Sequence, residues 1–77
     1  MTINESRNEI IKEFESKIND RINQDYNSFY IQQYDDGVRI RYGVIFNGLQ
    51  VALCKDFDSL EQVINTIVFF LDGGLTQ

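Results

Sequence analysis

The chain predicts an α+β fold of order α-β-β-β-α, a three-stranded antiparallel meander with two helices packed on one face. Three observations carry that reading. Asp36-Gly37 and Asn47-Gly48 are strong two-residue hairpin sequences, because a type I′ turn needs positive φ at both central residues. Each lies between runs in which apolar and polar residues alternate, the period of a strand with one buried face. On either side of this block, apolar residues recur at helical spacing.

The first helix is expected over about residues 3–23. Thr2-Ile3-Asn4-Glu5 and Ser6-Arg7-Asn8-Glu9 both fit the capping-box pattern, so its start is open by one turn. Ile3, Ile10, Ile11, Phe14, Ile18 and Ile22 fall within an arc of roughly 120° and form one buried stripe. Arg7 and Arg21 lie inside that arc, which calls for side chains that bury their stems and keep their charges wet.

Strands follow at about 27–34, 38–46 and 49–55. A two-residue loop at Asp36-Gly37 sets Gln33 opposite Ile40, Ile31 opposite Tyr42 and Phe29 opposite Val44. The Asn47-Gly48 loop sets Phe46 opposite Leu49, Val44 opposite Val51 and Tyr42 opposite Leu53. These independently read hairpins place one apolar set on one face, and a single-residue slip in either would split it.

The second helix is expected over about 59–72. Asp58 or Ser59 is its N-cap, and Gly73-Gly74 its stop. Leu60, Val63, Ile64, Ile67, Phe70 and Leu71 form the apolar face; Phe69 points away from it. At 77 residues the whole chain, 1–77, is one domain, near the size at which a single core only just suffices. The last residues, Leu75 to Gln77, are expected to fray.

The alternate strand residues define an open sheet face with Ser28, Tyr30, Gln32, Tyr34, Arg39, Arg41, Gly43, Ile45, Gln50, Ala52 and Cys54. Tyrosine and arginine are enriched in binding hot spots. Tyr30, Gln32, Tyr34, Arg39, Arg41 and Ile45 are therefore candidates for partner binding or self-association. The plainer reading is a wet face stabilised by cross-strand pairs.

A second candidate is an acidic corner. Asp35 and Asp36 sit at the tip of the first hairpin, and Asp56, Asp58 and Glu61 follow the third strand where it ends near the same edge. Turn and cap chemistry accounts for these residues without a ligand. Clustered carboxylates also suit a basic protein groove in which they replace phosphates. A divalent cation is a third use, but the segment leads straight into a helix with no ligand loop. Phe69 is either packed on the first helix or the C-terminal tail, or a contact for a partner.

Composition excludes several classes. The net charge is −5 and there is no His, which weighs against nucleic acid and anionic membranes as partners and removes the commonest general base. One cysteine, Cys54, allows no internal disulfide. No phosphate-binding loop or Cys/His metal spacing is present, so the expectation is no enzyme, no cofactor and no metal. No apolar run is long enough for a membrane span and no secretory signal is visible, which points to the cytoplasm.

The α-β-β-β-α order is that of the double-stranded RNA-binding domain. That family needs a basic start to its second helix, where this chain has Asp56-Phe57-Asp58-Ser59-Leu60-Glu61, so the likeness is one of topology without the function. In size, acidity and element order the whole chain also resembles the small inhibitors that phages and mobile elements encode against host machinery, anti-CRISPR proteins among them. That resemblance implies a protein partner with a basic nucleic-acid groove, in a bacterial cytoplasm, met by Asp35, Asp36, Asp56, Asp58 and Glu61. The alternative is a small homo-oligomeric accessory or structural protein, a homodimer for example, using the open sheet face. A toxin-neutralising immunity protein follows the same acidic logic as the inhibitor.

Overall fold

The computed structural model describes residues 3–74, with side chains from Ser6 onwards. Helix α1 (Ile3–Asn19), strands β1 (Phe29–Asp35), β2 (Ile40–Phe46) and β3 (Leu49–Cys54), and helix α2 (Phe57–Leu71) follow in order. The sheet is an antiparallel meander β1-β2-β3, and both helices cover one face. The fold class matches the expected one. The possible cap at Thr2 and the tail from Leu75 to Gln77 lie outside the described residues.

Helix α1 stops four residues earlier than its apolar spacing suggests. Asn23 accounts for part of this: its side-chain oxygen takes the Asp25 amide at 3.0 Å, and its carbonyl takes Tyr26 and Asn27. Asn and Asp side chains compete in this way with helical hydrogen bonds. Ile22 still packs against the core from outside the helix. Helix α2 begins two residues before its expected start, because Asp56, not Asp58 or Ser59, is the N-cap and accepts the Ser59 amide at 2.8 Å.

The first hairpin is shifted by two residues. Asp35 pairs with Ile40, Gln33 with Tyr42, Ile31 with Val44 and Phe29 with Phe46. The loop is therefore Asp36-Gly37-Val38-Arg39, and only Gly37, at φ 87°, takes the left-handed region there. The Asp36 carboxylate accepts the Val38 and Arg39 amides at 2.9 and 3.0 Å, and Asp35 accepts that of Gly37 at 2.9 Å. These bonds stabilise a longer loop than the bare Asp-Gly pair implies. A shift of two keeps every side chain on its expected face, since the strand period is two.

The second hairpin turns as expected, with Asn47 at φ 52° and Gly48 at φ 83°. Beyond it a β-bulge intervenes. Ile45 pairs with Gln50, but Val44 pairs with Ala52, Gly43 with Leu53 and Tyr42 with Cys54. The extra residue in β3 reverses the alternation after Val51. Leu53, expected inside, is exposed; Cys54 and Ala52, expected outside, are on the helix side, Cys54 fully buried and Ala52 packed on the core.

The core joins Ile11, Phe14 and Ile18 of α1, Phe29, Ile31, Tyr42 and Val44 of the sheet, and Leu60 and Ile64 of α2. Phe57 bridges the two helices and the sheet, with its ring 6.1 Å from that of Phe14 and edge-on to Tyr42 at 5.7 Å. Both helices run the same way along the sheet. Arg7 lies over the Phe57 ring near their starts, and Arg21 pairs with Asp72 at 2.7 Å near their ends.

Candidate protein-binding surfaces

Three surfaces stand out: the open sheet face, the end carrying the first hairpin loop, and the opposite end beside the second hairpin.

On the open face the pairs are Tyr34 with Arg41, Gln32 with Gly43 and Tyr30 with Ile45. Gly43 leaves room for its neighbours: a Cβ there would lie 2.8 Å from the Tyr34 ring and 2.5 Å from the Gln50 side-chain oxygen. Tyr34 donates its hydroxyl to that oxygen at 2.9 Å, so a side-chain bridge spans β2 from β1 to β3. Tyr34, Arg41, Gln50 and Leu53 surround a depression of about 280 Å³. Tyr30, Gln32 and Tyr34 are exposed and Arg41 is half-buried. Two expected members differ. Ile45 is only 6% exposed, enclosed on the open face rather than displayed, and Arg39 belongs to the loop rather than to β2.

The expected acidic corner is assembled only in part. Asp56 and Asp58 line a cleft of about 400 Å³ with Arg7, Val38, Arg39, Ile40, Tyr42 and Phe57. Two arginines thus share the cleft with two aspartates. Asp35 ends β1 and Asp36 begins the loop, 3.4 Å from Arg41, and Glu61 is one turn into α2. All five carboxylates are exposed. Among the described residues no group of three or more His, Cys, Asp or Glu side chains is placed to hold a metal ion.

Their electrostatics follow from local bonds. The Arg39 and Val38 amides, with Arg41 nearby, hold the Asp36 carboxyl below the ordinary carboxylate range. The Ser59 amide and side chain, then Lys55, do the same for Asp56. Burial, and then the Asp56 charge, push the Cys54 thiol above its usual value. Neither the thiol nor these two carboxylates is poised to exchange protons near neutrality.

No family model, curated protein or solved structure matches this chain. The surfaces have to be read from their own chemistry.

Phe69 is exposed, and its ring occupies the space a Cβ on Gly74 would need. It therefore packs against Gly74 in the turn that ends α2; the tail contact weighed for it above falls on residues 75–77, outside the described residues. The third surface was not foreseen. At the second-hairpin end, Ile18, Ile22, Phe29, Phe46, Val51, Ile67 and Leu71 line an apolar groove of about 200 Å³. Leu49 and Val51 of β3 are 70% and 61% exposed, and Phe70 of α2 is 51% exposed. Each was assigned to the buried face. A signal for this surface does exist: residues 42–54 and 62–71 contain no charged side chain. Among the described residues no helix is long and apolar enough to cross a membrane.

Proposed function

We propose that this chain is a non-enzymatic protein-binding inhibitor of the kind that phages and mobile elements encode. It acts in a bacterial cytoplasm by occupying the basic nucleic-acid groove of a host protein through its acidic surface. The observation that carries this reading is uncompensated negative charge. The chain has net charge −5, all five corner carboxylates are exposed, and among the described residues only two ion pairs form. A basic groove meeting such a surface gains complementary charge and loses its place for phosphates.

The five carboxylates divide by role. Asp36 and Asp56 hold the loop and the helix cap, so their charge is tied to the fold. Asp58 and Glu61 have no such bonded duty among the described residues, and Asp35 holds only the Gly37 amide; these three carry the binding. The non-catalytic half of the reading is supported by the buried thiol of Cys54 and the lowered carboxyls of Asp36 and Asp56.

The test is affinity capture from lysate of the host bacterium with wild type and with a D35K/D58K/E61K variant, each at low and high salt. A nucleic-acid-binding protein captured by wild type, released by high salt or by added DNA or RNA, and ignored by a folded triple variant would support the proposal. A captured partner that survives the triple reversal, or that nucleic acid does not displace, would refute it.

A further inference from the structure

The charge-free runs at 42–54 and 62–71 meet in space. The first forms most of β2 and all of β3; the second forms α2 from its second turn onwards. On α2 the remaining charges, Asp58 and Glu61, fall on the side away from Val63, Ile67 and Phe70 at 100° per residue. The result is a neutral sector along the outer edge of β3 and the adjoining side of α2. It displays Leu49, Val51, Val63, Ile67, Phe70 and Leu71, and it contains the apolar groove.

The two edges of the sheet are treated differently. Edge strand β1 has its Ile31 amide taken by the Glu15 carboxylate of α1 at 2.9 Å. Edge strand β3 has no charged residue and no Pro, the usual guards of an exposed edge, and among the described residues no side chain is bonded to its backbone. Leu49, Val51 and Phe70 are each more than half exposed, and large contiguous apolar patches on soluble chains mark interaction sites.

We infer that a second copy of this chain covers the β3–α2 sector, forming a two-fold symmetric dimer. Charge selects that occupant. Two copies of net −5 repel over most of their surfaces, and this sector is where they approach without opposing charges. A basic partner finds no counter-charge here. Shape agrees with charge, because a two-fold contact requires one patch to carry both the projection and its recess. Leu49 and Phe70 project beside the groove lined by Val51, Ile67 and Leu71. The bulge disrupts the regular ladder of β3, so the contact is side-chain packing rather than one continuous sheet. Ser59, Gln62 and Thr66 give the sector a polar rim on α2, as the edges of stable interfaces commonly have. This inference stands apart from the inhibitor reading and leaves the acidic surface free.

The experiment is sedimentation equilibrium of the full chain over a concentration series at two salt levels. Wild type is expected to run at twice the 9.0 kDa chain mass and to associate more tightly in high salt, where repulsion between the copies is screened. Val51→Lys is expected to weaken association by about 100-fold or more, since its ammonium would be buried without a partner. Leu49→Lys, at the most exposed of these positions, is the second variant should Val51→Lys disturb the fold, as judged by circular dichroism. A monomer throughout overturns the inference, including one whose sector is covered by a foreign protein. So does a dimer that folded Lys variants leave intact, that high salt dissolves, or that Arg41→Glu on the open face breaks instead.

Discussion

The bulge in β3 makes a prediction that an unbroken strand reverses. It places Cys54 in the core and turns Leu53 out beside Tyr34, Arg41 and Gln50. Leu53 is about half exposed, so Leu53→Ala removes a partly buried side chain and is expected to cost about 1 kcal/mol. Leu60 is fully buried, and Leu60→Ala should cost about 3 kcal/mol from lost burial and the cavity left behind. With an m-value near 1 kcal/mol per molar urea for a chain of this size, the midpoints should fall by about 1 M and about 3 M. Thiol labelling supplies an independent readout: native Cys54 should react with an aromatic disulfide reagent far more slowly than the urea-unfolded chain. Burial hides the sulfur, and the raised pKa lowers its thiolate fraction. If Leu53→Ala costs as much as Leu60→Ala and the native thiol labels promptly, the bulge is misplaced and the strand alternates without interruption.

Other outcomes are open to direct measurement. The Asp36 and Asp56 carboxyls are held below the ordinary aspartate range, so their contribution is present above the unfolded-chain value and is lost as pH falls through the lowered folded values. Urea midpoints followed down through that range should decline less steeply in an Asp36→Asn/Asp56→Asn double variant, which keeps the side-chain acceptors of loop and cap. Gly48→Ala, at φ 83°, should cost about 1 kcal/mol in a thermal melt, because a Cβ is strained in the left-handed region. Gly43→Ala should keep the fold but displace the bridge between Tyr34 and Gln50, read as altered tyrosine hydroxyl and glutamine amide signals by NMR.

Much of the architecture was legible because it rests on short-range rules. The Asn47-Gly48 turn formed as its positive-φ requirement implied. The helical stripes of Phe14 and Ile18, and of Leu60 and Ile64, buried as their spacing implied. Where a second local device competed, the reading missed. Asp36 looked like the first residue of a tight turn, yet its carboxylate captures two amides of a longer loop. Asn23 looked like the end of a helix, yet its side chain and carbonyl organise the turns after it. The acidic corner shows the same limit at the level of a surface. Nearness in sequence gathered five carboxylates, but the fold put Arg7 and Arg39 beside two of them.

By itself the sequence determined the α-β-β-β-α order, the antiparallel meander, the outward turn of Tyr30, Tyr34 and Arg41, and the division of the chain into charged and charge-free stretches. Those depend on backbone preferences and on a period of two or 3.6 residues. Tertiary structure alone decided that Cys54 is buried, that Ile45 is enclosed on the open face, and that the apolar positions Leu49, Val51 and Phe70 remain exposed. Periodicity tells which side of an element a residue faces. Whether anything covers that side depends on how far the neighbouring elements reach, and two helices that cover one face of the sheet stop short of the outer edge of β3.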